Sequence, residues 1–172
     1  SKLSKRQGDV AVEDYRDKGF FKEALMNFVA LLGWNAGDDK EFYKMDQLVE
    51  AFSLERVNKS GAVFDLQKLN WLNAEHLRKM DDSEILILLR QEILNSQYST
   101  LNLPDNYLLQ VISAMKERVS FIKEFITTCT YFYETPSEYE QKSFEKNWTP
   151  QTPDQLSLFI DELRKFEIPT KT

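Results

Sequence analysis

The chain has 172 residues, of which 42% are hydrophobic and 13% aromatic, enough for a packed core and too many for a disordered chain. Its formal net charge is −6, carried unevenly: residues 1–80 hold 13 Lys+Arg against 13 Asp+Glu, residues 81–172 hold 9 against 15. A nonspecific nucleic-acid binder with a broad basic excess is excluded, while a local basic patch is not.

In chain order, FKEALMNFVALLGW places Phe21, Leu25, Phe28, Val29 and Leu32 on one helical stripe, with Gly33 as its stop. WNAGDDKEFY joins this helix to the next through Gly37 and paired aspartates. KMDQLVEAFS repeats the pattern with Met45, Leu48, Val49 and Phe52. VNKSGAVFD, with its Ser-Gly turn, is a loop or brief strand. DLQKLNWLNAEHLRKM predicts a helix capped by Asp65, and DDSEILILLRQEIL one entered through Asp82 or Ser83 with Glu84 near its positive end. PDNYLLQVISAMKERVSFIKEFITTCTYFYE is too long for one unbroken helix, so a junction is expected near 117–120. TPDQLSLFIDELRKF closes the series behind Pro153, with Thr152 as cap. The expected class is all-α, with a change near residue 81 from a loop-interrupted, charge-balanced region to an acidic, nearly continuous helical one.

Residue counts narrow the chemistry. One cysteine, Cys129, forbids an internal disulfide and fits the cytoplasm, and with one histidine, His76, it cannot form a standard zinc site. His76 has no companion motif for hydrolysis. Trp34, Trp71, Phe21 and Phe28 are expected in the core, Asn73 on a helix surface, and His76 as a satisfied polar side chain. The Asp38-Asp39 and Asp81-Asp82 pairs suit helix entries better than metal binding. No apolar run approaches the ~20 residues of a membrane span, so no membrane partner is expected.

The basic start KLSKR (Lys2, Leu3, Ser4, Lys5, Arg6), the Y-R-x-x-G-F-x-x-E-A-L-x-N-F pattern at 15–28, G-W at 33–34 and F-D-L-x-K-L-x-W-x-N at 64–73 together resemble the bacterial glutamyl-tRNA synthetases, in the region after their nucleotide-binding fold. The likeness is strong over 1–80 and looser over 81–172. KLSKR is similar to the class I signature written KMSKS. The resemblance implies three parts: a KMSKS-like loop at 1–7 on the edge of the catalytic domain, a stem-contact helical fold at 8–80, and an incomplete α-helical anticodon-binding domain at 81–172.

It further implies that Lys5 contacts ATP most directly, with Lys2 as a second cation and Ser4 as a donor, because departing pyrophosphate builds negative charge that mobile ammonium groups stabilise. The parent would be an ATP- and magnesium-dependent ligase that activates glutamate and transfers it to tRNA(Glu). With no H-I-G-H-like motif or βαβ pattern in these residues, the chain is expected to be a cut-out piece, inactive alone, with residues 1–8 mobile. A monomer that holds tRNA(Glu) is expected, without zinc.

Aligning the family segment R-x-x-x-L-K-E-F with RVSFIKEF places the arginine that reads the third anticodon base on Arg118. A guanidinium suits the role, since its planar donors fork onto base edges and phosphates. Two readings of Arg118 stay open: base reader, or surface arginine neutralising Glu117 and Glu124. On a straight helix Lys116 and Lys123 share a face that excludes Arg118, so no single basic stripe is expected. The alternatives for the whole chain are a helical protein-interaction module without an RNA role and a relative that charges glutamine tRNA. The helical second half argues against the latter, whose bacterial form reads anticodons with β-barrels.

Overall fold

Asp65 shows how local chemistry starts the central helix of this chain. Its carboxylate accepts hydrogen bonds from the backbone N–H of Gln67 (2.9 Å) and Lys68 (3.2 Å), two of the donors that a helix start leaves unsatisfied. The computed structural model describes residues 11–37, 39–58, 61 and 63–165. Within them lie α1 (Val12–Asp17), α2 (Lys22–Gly33), α3 (Met45–Ala51), a 3₁₀ turn (Leu54–Arg56), α4 (Leu66–Lys79), α5 (Asp82–Leu94), α6 (Asp105–Met115), α7 (Glu124–Thr127), a second 3₁₀ turn (Thr130–Phe132), α8 (Gln141–Asn147) and α9 (Thr152–Lys165). The expected all-α class is borne out. The β pairing among the described residues is one isolated antiparallel bridge, Trp34 to Val57, so Val57 in the expected loop-or-strand segment is a bridge residue.

The chain divides into two units, Ser1–Glu134 and Thr135–Thr172. In the first, α4 is the shared wall. Leu69 and Leu72 enter a cluster with Tyr15, Phe20 and Phe28, while Leu77, farther along α4 and rotated round it, enters a larger cluster built from α5, α6 and α7. Ile85, Leu89 and Ile93 of α5 meet Leu108, Val111 and Ile112 of α6 there. A third cluster gathers Trp34, Tyr43 and Leu48 around the segment joining α2 to α3.

Two buried asparagines tie this unit together. Asn27 of α2 donates to Glu41 O (3.0 Å) and accepts from Tyr43 N (2.8 Å), pinning the extended segment before α3. Asn73 of α4 accepts from Phe21 N (2.9 Å) and donates to Ser120 O (2.6 Å). Expected on a helix surface, Asn73 is fully buried. The reason is its position on the Leu69-Leu72-His76 face, where an amide that satisfies two backbone groups costs little to bury. Trp71, expected in the core, is 41% exposed, because it stands on the opposite side of α4 from that face. Val29 on α2, Val49 on α3 and Phe52 just past α3 are exposed as well.

In the second unit, α8 and α9 carry Phe144 and Trp148, whose rings stack at 4.8 Å, and an apolar stripe along α9. Thr152 is the first residue of α9, and its hydroxyl accepts from Thr149 N (2.8 Å) upstream. No helix among the described residues is long and apolar enough to cross a membrane.

Candidate nucleic-acid interface

The expected junction exists. α6 stops at Met115, residues 116–123 form turns, and α7 starts at Glu124. Val119 (1% exposed) and Ile122 (7%) lie in the core beside Phe125 and Ile126 on either side of the break. Glu124 then holds the turn, its Oε2 accepting from Ser120 N (2.6 Å) and Phe121 N (3.3 Å). Phe121 meets Phe20 edge-on at 4.9 Å, next to Gly19, whose φ of +90° requires a residue without Cβ.

With Val119 and Ile122 turned inward, the charged residues that flank them, Arg118 and Lys123, face out. Arg118 is exposed, and among the described residues its guanidinium has no hydrogen bond or ion pair; its backbone N–H donates to Met115 O (2.8 Å). The acids proposed to neutralise it are engaged elsewhere: Glu124 caps the turn, and Glu117 lies 3.4 Å from Arg78, which also pairs with Glu75 at 2.5 Å. Lys116 is only 16% exposed, donating to Met80 O and to Asp82 (2.8 Å), and so serves the α5–α6 packing. Lys123, past the break, lies 5.6 Å from the centre of the Phe121 ring. The turn thus offers an unengaged guanidinium at a fixed position and, nearby, an ammonium beside an aromatic ring, groups able to meet a phosphate and an unstacked base.

The KLSKR residues Lys2, Leu3, Ser4, Lys5 and Arg6, and the expected mobility of 1–8, lie outside the described residues. Among those described, no group of three or more His, Cys, Asp or Glu is placed to hold a metal. His76, expected as a satisfied polar side chain, is buried with Nε2 unbonded. The sequence reading missed both the structural role of Asn73 and this orphan nitrogen. The helical spacing that puts both on the Leu69-Leu72 face was the available signal.

Residues 73–171 match the model of a family described as an anticodon binding domain. The chain belongs to the anticodon-binding domain family. Residues 1–71 match a second model, the catalytic domain of class I tRNA synthetases for E and Q. This chain is 47% identical over 172 residues to a glutamate–tRNA ligase of Chlorobium luteolum, covering 95% of this chain and 34% of that one. It is 47% identical over 171 residues to that of Chloroherpeton thalassium, covering 92% and 33%. It superposes on a crystal structure of a glutamate tRNA ligase from Elizabethkingia meningosepticum in complex with its amino acid, with TM-score 0.83 and 28% identity over 96% of this chain and 32% of that one. A glutamate-tRNA synthetase structure from Elizabethkingia anophelis gives 0.71 and 31%, over 83% and 28%. The chain spans about a third of the length of the curated relatives it matches. The family resemblance stated from the sequence is borne out.

Proposed function

We propose that this chain is the tRNA-holding region of a cytoplasmic, monomeric glutamate–tRNA ligase, whose whole protein activates glutamate with ATP and transfers it to tRNA(Glu). The observation that carries this reading is an anticodon-binding domain in which Arg118 stands exposed and unengaged on a turn braced from within. Residues 8–80 serve as the stem-contact fold and 81–172 as anticodon reader. Lys5, Lys2 and Ser4 belong to the ATP side of the parent's active site. ATP with magnesium would supply the activated phosphate there, and this chain's part is to set positive charge against it.

Arg118 reads the third anticodon base through its forked donors, while Lys123 positions the backbone. Arg118→Ala in the whole ligase should change discrimination between tRNAs differing at that base by about 1–3 kcal/mol, measured as the ratio of kcat/KM values. An equal loss for all tRNAs would make Arg118 a phosphate contact and remove it as the reader.

A further inference from the structure

The backbone that carries Arg118 is held residue by residue. Arg118 N–H donates to Met115 O at 2.8 Å, Val119 is buried, and Ser120 is bonded on both sides of its residue. The Ser120 N–H donates to Glu124 Oε2 and the Ser120 carbonyl accepts from Asn73 Nδ2, each at 2.6 Å. Phe121 and Glu124 also close on one another. The Phe121 N–H reaches the same Oε2 at 3.3 Å, and Glu124 N–H returns to Phe121 O at 3.0 Å, the reciprocal pattern of a helix start. The other anchor of Asn73 is Phe21 N–H at 2.9 Å, so the turn is set against the start of α2 as well as against its own helix. Burial of Val119 and Ile122 fixes which side of the turn faces the core. The orientation of the peptide groups on either side of Ser120 is fixed by the bonds to Glu124 and Asn73.

We propose, resting on the role given to Arg118 above, that Glu124 and Asn73 are positioning residues for base discrimination. They touch no RNA, and they hold the turn so that the Arg118 guanidinium meets the third anticodon base at one position and angle. The two kinds of contact an arginine can make respond differently to a loosened turn. A charge set against a phosphate tolerates a small shift, because Coulomb attraction varies slowly with distance. Forked donors on a base edge do not, since hydrogen bonds weaken steeply once distance and angle leave their narrow range. A turn without its brace therefore loses selectivity well before it loses affinity. Bracing in advance also spares the entropy of ordering a loop on binding, but that saving falls alike on right and wrong tRNAs. Discrimination is the quantity that isolates the geometry.

The test compares kcat/KM in the whole ligase for a tRNA(Glu) transcript and for one changed at the third anticodon base, with the Kd of the tRNA(Glu) transcript measured alongside. Glu124→Ala should lower the ratio of the two kcat/KM values about tenfold while raising Kd less than about threefold. Both N–H groups fall on one oxygen, which an amide retains, so Glu124→Gln should bring the ratio back to within about threefold of the native value. Adding Glu124→Ala to Arg118→Ala should change the ratio no further, since Arg118 is the group being placed. Asn73→Ala, measured well below its melting temperature, should lower the ratio as Glu124→Ala does. In this chain, amide exchange at Ser120 and Phe121 should quicken in Glu124→Ala while exchange within α6 stays unchanged, which separates a loosened turn from a failure to fold. An unchanged ratio in Glu124→Ala beside a lowered one in Arg118→Ala would overturn the positioning role and leave Arg118 as the reader. An unchanged ratio in Arg118→Ala would remove the reader, and the positioning role with it. A loss in Glu124→Ala that is equal for both transcripts, or a further fall of the ratio in the double variant, would overturn the proposal.

Discussion

Residues 11–134 and residues 135–165 both carry amphipathic helices, yet they reach opposite outcomes. In the first unit Leu72, Leu89, Leu108 and Phe125 are wholly shielded from solvent. In the second no described residue is buried, and Leu156, Phe159, Ile160 and Leu163, spaced along one side of α9, are 43%, 59%, 45% and 50% exposed. The apolar period of a helix decides which face will be buried; burial itself needs an element supplied by the rest of the fold. α4 meets that need in the first unit by presenting adjoining sides to two clusters.

The largest test of this contrast is a pair of truncations. Leu89→Ala should lower unfolding free energy by about 3–4 kcal/mol in urea denaturation, since it removes a fully packed side chain. Phe159→Ala should cost less than about 0.5 kcal/mol. A similar loss for both would mean that the apolar side of α9 is packed in solution.

Asn73→Ala should come next, at about 2–3 kcal/mol, because it strands both the Phe21 N–H and the Ser120 carbonyl. Asn73→Asp keeps the shape but replaces the donor facing Ser120 O with an acceptor, and should be no milder. A neutral outcome for either would show that the two halves of the first unit hold together without this amide.

A smaller effect comes from pH. The His76 pKa is lowered in the folded state by burial, so the unfolded chain takes up a proton more readily. Stability from this site is full above the ordinary histidine value of about 6.5 and is lost as pH falls below it toward the folded-state pKa. Melting temperatures from pH 7 to 5 should therefore fall more steeply for the native chain than for His76→Gln. Parallel slopes would mean that Glu23, Glu75 and Glu84 offset the burial. The smallest effect is at Arg118, where alanine should leave helicity and melting temperature unchanged within about 0.5 kcal/mol.

Helix positions were legible because apolar spacing and end signals are local. Asp65 caps α4 as its sequence suggests, Gly33 ends α2, and the break after Met115 falls where the length of the apolar run demands one. Arg118 could be singled out by resemblance and found exposed. Short α1 went unnoticed, since six residues carry too little periodicity. The partners of Asn27 and Asn73 were hidden because they are backbone groups of distant segments, which side-chain patterns do not encode. The orphan nitrogen of His76 was hidden for a related reason. A polar residue on an apolar face shows that it is buried and leaves open what satisfies it.

The two bonds of Asn73 have a consequence in time. They span 52 residues to Phe21 and 47 to Ser120, so neither can form until chain segments on both sides have been brought in, at the cost of closing long loops. Such contacts belong to the late part of assembly, after local helices and the α5–α6 cluster are in place. Loss of the amide would then act chiefly by hastening unfolding, leaving the rate of folding almost unchanged. The same side chain that joins the α2 start to the turn bearing Arg118 is thus a latch on the lifetime of the folded state.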